Sequence, residues 1–170
     1  MDDGVIRPYR PADHAAGRAL WGELTRQHRE LYDEPGVVGG DRDATFDGYL
    51  TRLELSGVWV AEHRQAGVVG LAGLVLVGRS ARVEPVVVTE RHRGRGIGRA
   101  LLGHVAGQAR RRGIARLTVA PEARNVAALR CLHAAGYDLL SAVELTLDLR
   151  APATGRERPT IDLHELHFRS

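Results

Sequence analysis

Three alternating glycines, Gly94, Gly96 and Gly98, stand inside the run Val86-Val87-Val88-Thr89-Glu90-Arg91-His92-Arg93-Gly94-Arg95-Gly96-Ile97-Gly98-Arg99-Ala100-Leu101. The valines read as a strand, the glycines as a tight turn without Cβ hindrance, and the residues from Ile97 onward as a helix. Such a turn aims several free N–H groups and the positive end of a helix dipole at one point. That is an anion site, and the surrounding arginines suit phosphate. A Walker A loop is excluded, because it needs a lysine followed by Ser or Thr. A Rossmann fingerprint fits poorly, since position 99 is arginine and the loop follows a run of hairpins instead of opening a βαβ unit.

Two spacings carry a resemblance. Arg93-x-x-Gly96-x-Gly98 resembles the R/Q-x-x-G-x-G/A signature of the GNAT acetyltransferase superfamily, and Asn125-x-x-Ala128-x-x-x-Leu132-x-x-x-Gly136-Tyr137 is similar to that family's N-x-x-A-x-x-x-Y-x-x-x-G-F segment. The likeness runs from the first strand to the last hairpin. It implies a GNAT-like α/β (α+β) fold: a mixed, mostly antiparallel sheet of about seven strands, splayed at an acetyl-CoA site and flanked by about four helices. It implies acetyl-CoA as co-substrate and no metal. Backbone groups of Val86, Val87 and Val88 would pair with the pantetheine arm. The loop from Arg93 through Gly94, Arg95, Gly96, Ile97, Gly98 and Arg99 to Ala100 would hold the pyrophosphate, and Asn125 would contact the cofactor or simply cap its helix.

Acetyl transfer to an amine requires the neutral amine, yet a lysine-like amine of pKa about 10.4 is mostly protonated at neutral pH. A general base is therefore useful. Glu84 is the candidate, two and four residues before Val86 and Val88, which strand alternation would put on one face. The resemblance fails at the general acid, where relatives carry a tyrosine and this chain has Leu132. Cys131 and His133 flank it, but helix neighbours point about 100° apart, so His133 is only a weak substitute and Cys131 reads as a small core residue. His164 and His167, three apart in a strand, would face opposite ways and hold no metal.

These groups need a scaffold. Val5 to Tyr9 reads as an edge strand, and Asp13 stands as N-cap to an amphipathic helix reaching Leu31. A loop from Asp33 to Asp43 precedes a second helical pattern from Thr45 to Leu55. Strands are expected at Val58–Glu62, Val68–Val77 and Ala81–Val88, joined as antiparallel hairpins. A helix from Ile97 to Gly113, a strand from Ile114 to Ala120 and a helix from Asn125 to Ala135 follow. Tyr137–Leu149 and Thr160–Phe168 read as the closing strands, either completing the sheet or pairing with a second subunit. The chain is read as one domain over residues 1–170, with an acceptor-side portion at 5–56, the sheet and cofactor core at 58–135, and the C-terminal strands at 137–170.

Composition narrows the classes further. With 170 residues, 44% hydrophobic and 26% charged, the chain is a folding globular domain and neither a disordered nor a fibrous one. One cysteine permits no internal disulfide, and the N-terminus carries no apolar signal core, so a cytoplasmic setting is expected. The longest uncharged apolar stretch, Gly67 to Gly78, has 12 residues with four glycines, short of the roughly 20 that span a bilayer. All 24 basic residues are arginine, which excludes any lysine-based mechanism.

Charge is unevenly placed: residues 30–54 carry a net −5, whereas residues 91–116 carry eight arginines and no acid. The acidic portion, with Trp21, His28, Tyr32, Asp33 and Glu34, resembles the family's acceptor-binding region and suits a cationic amine, either a small molecule or a peptide. Three readings follow: an N-acetyltransferase, a degenerate GNAT that binds acyl-CoA as a sensor without turnover, and a basic nucleic-acid-binding domain. Aromatic residues at 5% leave no stacking platform for the third, so no nucleic-acid partner and no membrane are expected. A homodimer is the expected assembly.

Overall fold

A computed structural model describes residues 4–32, 45–51, 57–78, 80–147 and 159–169. Five strands make one sheet in the order β1 (Gly4–Pro8), β2 (Val58–His63), β3 (Gly67–Val77), β4 (Ser80–Val88) and β5 (Leu117–Thr118). The first three pairings are antiparallel, as the short connections predict; β4 and β5 are parallel. The fold is the mixed, mostly antiparallel α/β arrangement expected, but its seven strands are not one sheet. The remaining two, β6 (Thr160–Leu163) and β7 (Leu166–Arg169), pair only with each other among the described residues.

That hairpin corrects the expectation of a single strand over Thr160–Phe168. His164 and Glu165 both take positive φ, 50° and 64°, forming the two-residue primed turn that matches strand twist. Neither is Gly or Asn, so no turn signal was visible. His164 therefore sits in the turn, and His167 on β7 contacts Asp162 across the hairpin. Tyr137–Leu149 is a second correction. Residues 137–147 form no strand, and Leu139 and Leu147 are over four-fifths exposed. An apolar, β-branched composition does not make a strand unless its N–H and C=O groups meet a ladder partner.

Among the described residues, four α-helices cover the sheet: α1 (His14–Tyr32), α2 (Phe46–Thr51), α3 (Ile97–Arg111) and α4 (Val126–Ala134). Residues 69–74 of β3 are buried throughout because helices pack on both of its faces. On one face, Leu101, Leu102, Val105 and Ala109 of α3 meet Ala72, Leu74, Ala81 and Val83. On the other, Leu20, Phe46 and Tyr49 meet Val58, Val60, Leu71 and Val87.

Asp13 does not cap α1 as predicted. It closes a preceding 3-10 turn, Pro11–Asp13, and its carboxylate turns back to Arg7 at 2.7 and 2.8 Å and to the Arg10 N–H at 2.8 Å. Arg7 also donates to Glu62 at 2.6 Å, so one guanidinium ties β1, β2 and the entry to α1. This bonding holds the Asp13 carboxyl below the usual carboxylate range, by the Arg7 hydrogen bonds first and the Arg10 N–H next. Glu62 is lowered for the same reason.

Candidate active site

The strand-to-helix turn is built as its residues dictate. Thr89 leaves β4, a 3-10 turn spans Glu90–His92, and Gly94 and Gly96 take φ of 74° and 78°, a region that side chains with a Cβ disfavour. Gly96 is the N-cap of α3 and provides no side-chain acceptor, so the helix's first N–H groups have no cap from an N-cap side chain. The first helical bond there is Ala100 N–H to Gly96 O at 3.0 Å. Gly98 lies where three elements converge: a Cβ on it would stand 3.3 Å from Cys131 Sγ of α4 and 3.8 Å from Val88 of β4.

Arg93 has a different part from the one its motif position suggested. Its N–H is given to Glu90 O at 3.2 Å and its Nε to Val88 O at 2.9 Å. Any N–H array that the turn offers to an anion thus begins after it, at Gly94. Arg95 and Arg99 are exposed at the loop.

Beside the loop the sheet opens. β4 and β5 pair only at Ala81↔Leu117 and Arg82↔Thr118, then separate, so the expected strand over Ile114–Ala120 is reduced to two residues. Among the described residues, the edge of β4 from Val83 to Val88 has no neighbouring strand on that side.

A bulge changes the placement of Glu84. Val83 pairs with Leu74 and Val86 with Ala72, so Glu84 and Pro85 together oppose Gly73. The extra residue breaks the alternation, and Glu84 is out of phase with Val86 and Val88, contrary to the simple strand count. Val86 and Val88 pack toward the α3 side, whereas Val87 joins the α1 and α2 side. Tyr49 of α2 donates its hydroxyl to the Glu84 carbonyl at 2.5 Å, above Gly73, where any Cβ would strike both. The Glu84 carboxylate is half exposed, 3.9 Å from Arg82 Nη1.

These features agree with what comparison finds. The family model described as the acetyltransferase (GNAT) family matches residues 18–137. The chain belongs to the GNAT acetyltransferase family. It is accordingly an acyltransferase by family. A GNAT-family acetyltransferase from Staphylococcus aureus Mu50 superposes with a TM-score of 0.63 at 18% identity, over 85% of this chain and 94% of that one. The YncA acetyltransferase from Salmonella typhimurium, solved with its cofactor acetyl-CoA, gives 0.59 at 26% identity, over 79% of each chain. N-acetylglutamate synthase from Neisseria gonorrhoeae, in complex with coenzyme A and N-acetyl-glutamate, gives 0.57 at 19%, over 75% of this chain but only 27% of its own. No curated protein matches the chain by sequence.

The GNAT fold brings Val86, Val87, Val88 and the loop through Ala100 together, with α4 alongside. Asn125 is the N-cap of α4, its Oδ1 accepting from Ala128 N–H at 3.0 Å. Leu132 is buried in the α3-side core, whereas His133 is exposed in the last turn of α4. Cys131 is half-buried, and burial raises its thiol pKa against an opposing effect of Arg99. On the other side Trp21 stacks near Tyr49 at 5.0 Å, and His28 lies two turns further along α1. Asp33 and Glu34 lie outside the described residues, as does the side chain of Tyr32.

Two residues of this site had no sequence signal. Tyr49 reads as an ordinary helix aromatic, yet it seats the Glu84 bulge. Glu23 reads as a solvent-facing acid of α1, yet its carboxylate reaches the loop, accepting from Thr89 Oγ1 at 2.7 Å and Glu90 N–H at 2.9 Å. Among the described residues no helix is long and apolar enough to cross a membrane.

Proposed function

We propose that this GNAT chain is an acetyl-CoA-dependent N-acetyltransferase whose acceptor is a primary amine on a cationic small molecule or peptide. The observation that carries the reading is the glycine turn at Gly94 and Gly96, which opens α3 without an N-cap side chain, at the end of a β4 that pairs with β5 only at Ala81 and Arg82 among the described residues. A pyrophosphate fits the first feature, through oriented backbone donors and a helix N-terminus. An amide-bearing arm fits the second, as an added strand along Val86 to Val88. Acetyl-CoA supplies the activated acyl group when bound.

The chain's own residues do the rest. Glu84, at the bulge held by Tyr49, takes the proton of the acceptor ammonium, directly or through water, so that the amine lone pair can attack the acetyl carbonyl. The C–N bond forms as the C–S bond breaks. Leu132 has no proton to give and His133 faces outward, so water protonates the departing thiolate. The acidic surplus over residues 30–54 draws the cationic acceptor. Two copies of the chain form the working assembly in this reading, in the cytoplasm.

Leu132 also favours a second reading, an acyl-CoA-binding module without turnover. Calorimetry with acetyl-CoA on the wild type and on a variant with both Gly96 and Gly98 replaced by valine, followed by a thiol-release assay over an amine panel, separates them. Binding lost in the variant, with turnover in the wild type, supports the enzyme; binding without turnover on any amine supports the module. No binding by the wild type overturns both. Reversing the charge at Asp33 and Glu34 is expected to raise the KM for a cationic amine; an unchanged KM removes the cationic acceptor.

A further inference from the structure

Glu23 lies on α1, which packs on the sheet face opposite α3, yet its carboxylate reaches past the end of β4 to the turn that leads into the glycines. Both oxygens are used. Oε1 accepts the Thr89 hydroxyl at 2.7 Å, and Oε2 accepts the Glu90 N–H at 2.9 Å while standing 3.9 Å from Arg93 Nη2. The same turn is held from within by Arg93 Nε on Val88 O and by Arg93 N–H on Glu90 O. Three points of the turn, Thr89, Glu90 and Arg93, are thereby fixed immediately before the two positive-φ glycines.

An acid here contradicts simple electrostatics. Next to a loop that receives an anion, a carboxylate should repel the ligand, and the long contact to Arg93 offsets only part of that charge. The two short hydrogen bonds to an ionised acceptor are what such a position gains. Glycine-rich backbone has much conformational freedom to lose on binding, so fixing its entry beforehand lowers the cost of association.

The geometry points to Glu23 as the positioning residue of the phosphate loop, reaching across from an acceptor-side helix to hold Thr89–Arg93, and with it the N–H array, ready for the ligand. This rests on the acetyl-CoA reading above.

The test compares Glu23→Ala, Glu23→Gln and Thr89→Val in the full chain. Glu23→Ala is expected to weaken acetyl-CoA binding and raise its KM about tenfold, with a far smaller fall in kcat at saturating acetyl-CoA. Glu23→Gln, which keeps an acceptor for Glu90 N–H and discards the charge, is expected to restore most of the affinity. Thr89→Val is expected to show a smaller loss that does not add to that of Glu23→Ala. Tighter binding by both Glu23 variants, the result of simple charge removal, overturns the proposal, as does wild-type affinity in Glu23→Ala. Hydrogen exchange on the free proteins decides the structural part without ligand: faster exchange at the hydrogen-bonded amides of the turn, His92, Arg93 and Ala100, in Glu23→Ala or Thr89→Val supports it, and unchanged exchange overturns it. If wild-type protein binds no acetyl-CoA, the functional reading fails, while the exchange result still tests whether Glu23 holds the loop.

Discussion

On one face of the sheet, α3 and α4 lay mainly aliphatic side chains over Ala72, Leu74, Ala81 and Val83, and α3 opens on a glycine N-cap with no side-chain cap. On the other face, α1 and α2 meet the sheet through rings, with the centroids of Trp21, Phe46 and Tyr49 5.0 to 6.2 Å apart, and through polar ties from Arg7, Asp13 and Glu23. The first face offers the shape of its backbone, the second particular side chains. A site made of backbone depends on where the chain can turn, which glycine spacing controls locally. A site made of side chains depends on which distant residues meet, and here Tyr49 meets Glu84 across 35 positions and Glu23 meets Glu90 across 67.

That contrast can be broken most strongly at Gly73. A methyl group there collides with the Tyr49 hydroxyl and the Glu84 carbonyl, so Gly73→Ala is expected to destabilise the fold by at least about 3 kcal/mol, read by urea denaturation. Wild-type stability would mean that the aromatic face does not depend on this close seat.

Next is the Arg7 tie. A carboxyl whose folded pKa is depressed, as Asp13's is, contributes stability that is complete above its unfolded pKa and is lost as pH falls through the folded value. Asp13→Asn is expected to cost about 2 kcal/mol at neutral pH. Below about pH 4 the wild type loses that advantage and the two stability curves converge. Parallel curves in acid would remove Asp13 as the source.

The cofactor face is sharpened by Gly98→Val, which drives a branched side chain against Cys131 Sγ. Acetyl-CoA binding is expected to weaken about tenfold, roughly 1.4 kcal/mol by calorimetry. Adding Cys131→Ala should recover part of that loss; no recovery would show that the α4 contact is not what confines the residue.

The smallest effect is assigned to Tyr49→Phe. Losing one hydrogen bond to the Glu84 carbonyl is expected to cost about 1 kcal/mol of stability. If Glu84 is the base, kcat falls while the KM for acetyl-CoA stays nearly constant; equal changes in both would detach the bulge from the acceptor side.

Much of the scaffold was legible. The helix from Ile97, the strand at Val58, the hairpin strands of β3 and β4 and the cap at Asn125 follow from periodicity, glycine position and capping chemistry, all of which act within a few residues. The errors share one cause. Tyr137–Leu147 has strand composition but no ladder partner, and the His164–Glu165 turn carries none of the residues that announce a turn. The face of Glu84 was misplaced because a bulge is a property of two strands in register, which one strand's alternation does not reveal.

By itself, the sequence determined the loop that turns on Gly94 and Gly96 and the family to which the chain belongs, since both rest on short-range spacing that the backbone must obey. Only the tertiary structure decided that Arg93 braces the turn from inside, that Tyr49 seats Glu84, and that Glu23 crosses the sheet edge to hold Thr89 and Glu90. The physical reason is range. Backbone conformation is set by neighbours along the chain, whereas a hydrogen bond between side chains exists only after packing has brought together residues that the sequence keeps apart.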